Sequence, residues 1–122
     1  MALSQKSRGH VVLPRLRVMR GSAIALGPGK VALLQAIEET GALAEAARKL
    51  AMSYKRAWDL VETMNSEFRE PVVSTKVGGT GGGGASLTRT GTEALKLYRS
   101  MEAKAARAIG TDAARLEKLL LP

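Results

Sequence analysis

Cysteine is absent from this sequence of 122 residues. That excludes disulfides, thiolate metal centres and thiol nucleophiles, and it fits a cytoplasmic protein. Histidine occurs once, as His10 in a tail-like segment, which all but excludes a zinc site or a Ser-His-Asp triad. Aromatic residues make up only 3% of the chain, so a core must be built from Ala, Leu, Val, Ile and Met, a composition that leans helical. No apolar run approaches the roughly 20 residues of a membrane span. The N-terminal stretch has no signal-peptide apolar core. No pair of acids and no His or Cys is placed for chemistry, so neither an enzyme nor a bound cofactor is expected.

What the chain does have is positive charge. Nineteen Lys and Arg against eleven Asp and Glu give a net +8. A domain this basic is a candidate polyanion binder, with nucleic acid first and an anionic membrane second. The charge is uneven. Residues 1–30 hold six basic and no acidic groups, residues 31–71 hold five and seven, residues 72–110 hold six and two, and residues 111–122 cancel. The middle must therefore act through a few placed charges.

Residues 1–12 read as a mobile basic tail, and 13–109 as one domain. Leu13 to Met19 alternates apolar residues with Arg15 and Arg17, as a half-exposed strand does. Gly21-Ser22 is a turn signal, and Ala23 to Leu26 is a second short strand. The spacing predicts helices over about Pro28–Glu39 and Leu43–Leu50. A third follows, capped by Ser53 and running to Phe68. Its stripe of Ala57, Val61, Met64 and Phe68 falls within a roughly 60° arc. Val72 to Val77 reads as a strand. Gly78 to Gly84 cannot be a regular element, and Ala85 to Leu87 returns as a strand. Thr88 or Thr90 can cap a fourth helix, over 92–109. Gly110 is expected to end it, leaving a short Leu-rich helix in 110–122.

Two short helices separated by a three-residue turn suit a helix-turn-helix, whose second helix enters the major groove. A hairpin straight after that helix is a wing. The order predicts a mainly α domain with a small β part, a winged helix-turn-helix. Lys55 and Arg56 stand in the first turn of helix 53–68, where positive side chains oppose the helix dipole. That placement makes sense if they face phosphates or guanine edges. Ser53 is a cap or a phosphate contact. The Tyr54 hydroxyl reaches a phosphate or base, or the ring packs. Trp58 leans towards packing beneath the reading face, with DNA contact as the alternative. Asp59 pairs with Lys55 at i,i+4 in preference to accepting from cytosine. In the wing, 72–89, the amides of Gly79, Thr80, Gly81 and Gly82 can approach a phosphate closely, with Lys76 adding charge at the base. The run also holds a formal Gly79-x-Gly81-x-x-Gly84 dinucleotide pattern. A strand rather than a helix follows it, and Gly84-Ala85-Ser86 replaces the Gly-Lys-Ser/Thr of a nucleotide loop. Arg15, Arg17 and Arg20 are solvated strand residues or remote phosphate contacts.

Several of these stretches resemble the DNA-binding domain of the molybdate-responsive transcriptional regulator (ModE) family. They are Gly27-Pro28-Gly29-Lys30, Leu33-Leu34-Gln35-Ala36-Ile37, and Thr40-Gly41-Ala42-Leu43 with Ala46-Ala47. The sharpest are Met52-Ser53-Tyr54-Lys55-Arg56-Ala57-Trp58-Asp59, Gly78 to Ala85, and Leu87-Thr88. The resemblance covers about residues 13 to 108. It implies a homodimer that reads a palindromic operator in duplex DNA, paired largely through helix 92–109 and the terminal segments. The family's molybdate-binding domains would begin about where this sequence stops, so no molybdate site is expected in this chain. Alanine stands at 42 and 44, where the family commonly has hydroxyl residues, which puts a backbone contact from the second helix in doubt. The alternative reading is a protein-interaction or dimerisation module that keeps this fold without reading DNA sequence.

Overall fold

The computed structural model describes residues 12–76 and 83–122. The expected basic tail, apart from Val12, and the wing tip with Gly79, Thr80, Gly81 and Gly82 lie outside the described residues. The elements run β1 (Val18–Arg20), β2 (Ala23–Leu26), α1 (Pro28–Thr40), α2 (Leu43–Lys49), α3 (Tyr54–Glu67), β3 (Val73–Thr75), β4 (Ala85–Leu87) and α4 (Arg89–Glu117). The two hairpins are separate antiparallel pairs, β1 with β2 and β3 with β4. The architecture is a mainly α winged helix-turn-helix.

The core forms where α1, α2 and α3 meet. Leu33, Leu34 and Ile37 of α1, Ala46 of α2, and Ala57 and Met64 of α3 are sealed from solvent. The stripe expected on α3 is therefore its buried face, with Phe68 half-buried at the end. α2 is too short to persist alone in water. It is held because Leu43, Ala46 and Ala47 are buried, and alanines let the neighbouring helices approach closely. α1 ends on Gly41, which takes a left-handed φ of 75° and returns its N–H to the Ile37 carbonyl. The α2–α3 turn contains Ala51 at φ 56°, a left-handed conformation that an L residue tolerates at some cost. Backbone hydrogen bonds hold the turn there, from Leu50 N–H to the Ala46 and Ala47 carbonyls, from Ala51 to Arg48 and from Met52 to Ala47.

Two expectations need correction. The strand foreseen from Leu13 begins only at Val18. β2 has just four residues, so it offers no partner to the earlier ones. The segment is tied down differently: the Tyr98 hydroxyl of α4 donates to the Leu16 carbonyl at 2.7 Å. Burial pushes the Tyr98 phenol above its ordinary pKa, so it remains a proton donor. The second correction concerns Gly110, which does not end the last helix. Thr88 caps α4 by accepting from the Gly91 N–H at 3.0 Å, and the helix continues through Gly110 to Glu117. A glycine in a helix interior costs only about 0.5–1 kcal/mol relative to alanine. Ala105, Ala106, Ala108, Ala113 and Ala114 surround this one. No separate C-terminal helix exists in 110–122.

The wing base is fixed to both neighbouring helices at one stretch of backbone, Pro71 to Val73. Asn65 of α3 accepts from the Val72 and Val73 N–H groups at 2.8 and 3.1 Å and donates to the Val73 carbonyl at 3.1 Å. From the other side, the Thr88 hydroxyl donates to the Pro71 carbonyl and the Thr88 N–H to the Val72 carbonyl. Gly91 sits against that same carbonyl, where a Cβ would stand 2.0 Å from the Val72 oxygen.

Two outcomes follow from this packing. Gly91→Ala improves helix propensity yet should lose about 1–3 kcal/mol or more of stability in urea unfolding, because backbone must move. A stabilised variant would refute the close approach. Asn65→Ala should lose about 1–3 kcal/mol, since it leaves part-buried N–H groups without acceptors. Asn65→Asp keeps that acceptor and should fall between the two proteins. Amide exchange at Val72 and Val73, accelerated in the alanine variant only, is the diagnostic readout.

Candidate nucleic-acid interface

α3 presents its buried stripe inward and a wide polar face outward. Ser53 fixes where it starts: its side chain accepts from the Arg56 N–H at 3.0 Å, with the backbone at φ −70°, ψ 156°. The first turn then carries no acid and two cations. Lys55 and Arg56 are both exposed, as are Ser53, Tyr54 and Trp58.

The expected Lys55–Asp59 pair is present, with Nζ at 3.0 Å and 3.1 Å from the two carboxylate oxygens. It is solvent-exposed, and such pairs contribute little, so Lys55 is readily transferred to another anion. Arg56 makes no ion pair among the described residues. The acids on the outer face, Asp59 and Glu62, stand beyond the first turn. A polyanion is therefore favoured only at the leading end of α3.

Trp58 does not lie beneath this face. It is 45% exposed, because the stripe beside it is filled by Ala57 and Val61, so the expected packing gives way to a surface indole. Tyr54 is 56% exposed and lines a cleft with Ala44 of α2 and with Thr75, Lys76, Gly83 and Gly84 at the wing base. The structure thus brings Tyr54 and Lys76 to one cleft, while Ser53, Lys55 and Arg56 line a neighbouring one with Asp59. The wing-tip candidates Gly79, Thr80, Gly81 and Gly82 lie outside the described residues.

The wing base is pinned to the helix-turn-helix at a further point. The Ala85 N–H donates to the Gly41 carbonyl at 3.0 Å, in the turn between α1 and α2. α2 itself has Ala42 at its N-cap position and no side-chain cap, as the alanines there imply. Asn65 is a positioning residue that the sequence pattern did not single out. Its only signal is an amide near the end of an amphipathic helix, a few residues before a strand.

Among the described residues no helix is long and apolar enough to cross a membrane, and no three His, Cys, Asp or Glu side chains gather as a metal site. No family model matches the chain. Individual relatives do. The chain is 40% identical over 94 residues to the molybdenum-pterin-binding protein MopB of Rhodobacter capsulatus, covering 77% of this chain and 35% of that protein. It is 36% identical over 107 residues to the molybdenum transport protein ModE of Azotobacter vinelandii, covering 88% of this chain and 40% of that one. To the transcriptional regulator ModE of Yersinia pestis it is 38% identical over 96 residues, 76% of this chain and 36% of the relative. The chain thus spans little more than a third of the length of these relatives. With the fold and the Ser53–Asp59 helix start in place, this likeness to the N-terminal part of longer proteins shows that the chain is similar to the N-terminal domain of the ModE family.

Proposed function

We propose that this chain binds duplex DNA as part of a transcriptional regulator, with α3 in the major groove and the wing alongside it. One observation carries the reading. The leading end of α3 exposes two cations against its own dipole, next to a wing base that adds Lys76. Folding does not require that arrangement, whereas a phosphate or a guanine edge gives it a partner. Lys55 and Arg56 are the reading pair, with Ser53, Tyr54 and Trp58 beside them and the wing, including Gly79, Thr80, Gly81 and Gly82, supplying backbone contacts. The names of the relatives, in molybdenum transport and molybdenum-pterin binding, support regulation tied to molybdenum. No molybdate site is assigned to this stretch of sequence.

The acting unit is a homodimer. α4 is about 43 Å long at 1.5 Å per residue, yet none of its residues beyond Tyr98 is buried. Leu97 (56% exposed), Met101 and Leu116 remain in solvent. An apolar groove of about 270 Å³, lined by Val18, Leu26, Phe68, Leu97, Tyr98 and Met101, opens beside that face. A second copy laid along α4 would cover both. Two-fold symmetry then predicts half-sites about one DNA turn apart, or a multiple of it.

Two experiments test these statements. Genomic fragments from the source organism, selected on the purified protein, should be enriched in discrete sites. Enrichment should drop more than tenfold with Lys55→Ala plus Arg56→Ala, each lost contact contributing about 1–3 kcal/mol. Unchanged enrichment would reject the reading pair, and no enrichment with the unaltered chain would favour a protein-interaction module. Leu97→Glu should convert the dimer to a folded monomer in sedimentation equilibrium. A dimer that survives this change would place the interface elsewhere.

A further inference from the structure

We infer that a second phosphate seat lies on the side of α3 away from the wing, formed by Arg17, Lys30 and Arg56, and that it takes the backbone of the DNA strand opposite the one the wing meets. The inference rests on the duplex-binding reading and extends it to residues outside the helix-turn-helix.

The three cations line one surface groove of about 260 Å³, together with Ile24, Met52 and Leu60. No carboxylate lines it. Among the described residues none of the three makes an ion pair, whereas Arg20 is bound to Glu67, Arg48 to Glu45, Lys49 to Glu39 and Lys55 to Asp59. Three positive groups converging without a counter-charge repel one another, and an anion removes that repulsion. The side chains are also placed rather than loose. Arg17 carries its stem over Gly27, with Cγ 3.8 Å from where a Cβ of that glycine would lie. The Lys30 ammonium donates to the Ile24 carbonyl, which draws it towards the β1–β2 hairpin.

Position identifies the anion's source. Arg56 lines both this groove and the cleft on the leading end of α3, so the two are continuous. Residues two apart on a helix point about 160° from each other. Tyr54 accordingly faces the wing base while Arg56 faces this groove. A helix seated in a major groove about 12 Å wide has a ridge of phosphates on each side. The wing is set to meet one ridge. Arg17, just before β1, and Lys30 of α1 are set to meet the other.

The test uses the full chain and a labelled duplex of mixed sequence, with affinity measured against salt. Arg17→Gln and Lys30→Gln keep the side-chain stems that pack on Gly27 and near Ile24, and circular dichroism checks that the fold persists. Each should lower the slope of log affinity against log salt by about 1, and the double variant by about 2. Arg107→Gln, far along α4, should leave it unchanged. If the unaltered chain binds with a salt slope that both groove variants retain, the second seat is overturned while the duplex-binding reading stands. If the unaltered chain binds no duplex, both fall. If inorganic phosphate protects the unaltered chain, but not the double variant, against thermal unfolding while the DNA slope stays the same, the groove belongs to a free oxyanion and the DNA assignment is overturned.

Discussion

Three residues of backbone, Pro71 to Val73, hold the architecture in register. Asn65 grips them from α3, Thr88 grips them from the start of α4, and Gly91 lets α4 lie directly on the Val72 carbonyl. A part-buried strand end must have its polar groups satisfied, because an unpaired N–H or C=O away from water costs about 1–3 kcal/mol. Here that requirement does a second job. It fixes the angle between the wing and α3, and it fixes where α4 leaves the domain. The Ala85–Gly41 hydrogen bond adds a further point, so the wing base is tied to the helix-turn-helix from both strands.

Against this rigid frame the charges are arranged at some local expense. Cations at the N-terminal end of α3 oppose its dipole. The helix forms nonetheless, because Ser53 caps it and Ala57, Val61 and Met64 are buried. Lys55 is held by a weak exposed pair and Arg56 by none, so both are available to an incoming polyanion. The acids of the same helix stand farther along, which confines the attraction to its leading end. Long-range steering by the net +8 and local placement at α3 therefore act in the same direction.

The last helix follows a different logic. Its first three turns belong to the core through Gly91, Leu95 and Tyr98, and Tyr98 also ties down the chain before β1. No residue of α4 beyond Tyr98 is buried by its own chain. A single helix with a free apolar face is marginal in water. The proposed pairing of two chains would cover that face and steady the second half of α4. The alanine-rich midsection tolerates Gly110 because helix propensity there is otherwise high.

Much of the fold could be read from the sequence, because it is written in local chemistry. Periodicity and caps gave α1, α2 and α3 to within a residue or two, with Gly41 and Ser53 at the expected ends. The Lys55–Asp59 pair was legible because i,i+4 spacing on one helix is fixed by geometry. What stayed hidden involved contacts between residues distant in sequence. Nothing local in Asn65 says that its amide will meet Val72 and Val73, and nothing in Leu13–Arg17 says that β2 is too short to pair with it. Whether the Trp58 indole is covered likewise depends on what the other helices bring to it. The sequence by itself determined the helix ends and the sign of the field, through backbone and charge preferences that act within a few residues. Only tertiary packing decided which cations lack partners, where Arg17 and Lys30 meet Arg56, and how the wing stands beside α3, because those depend on distances between segments that no local preference sets.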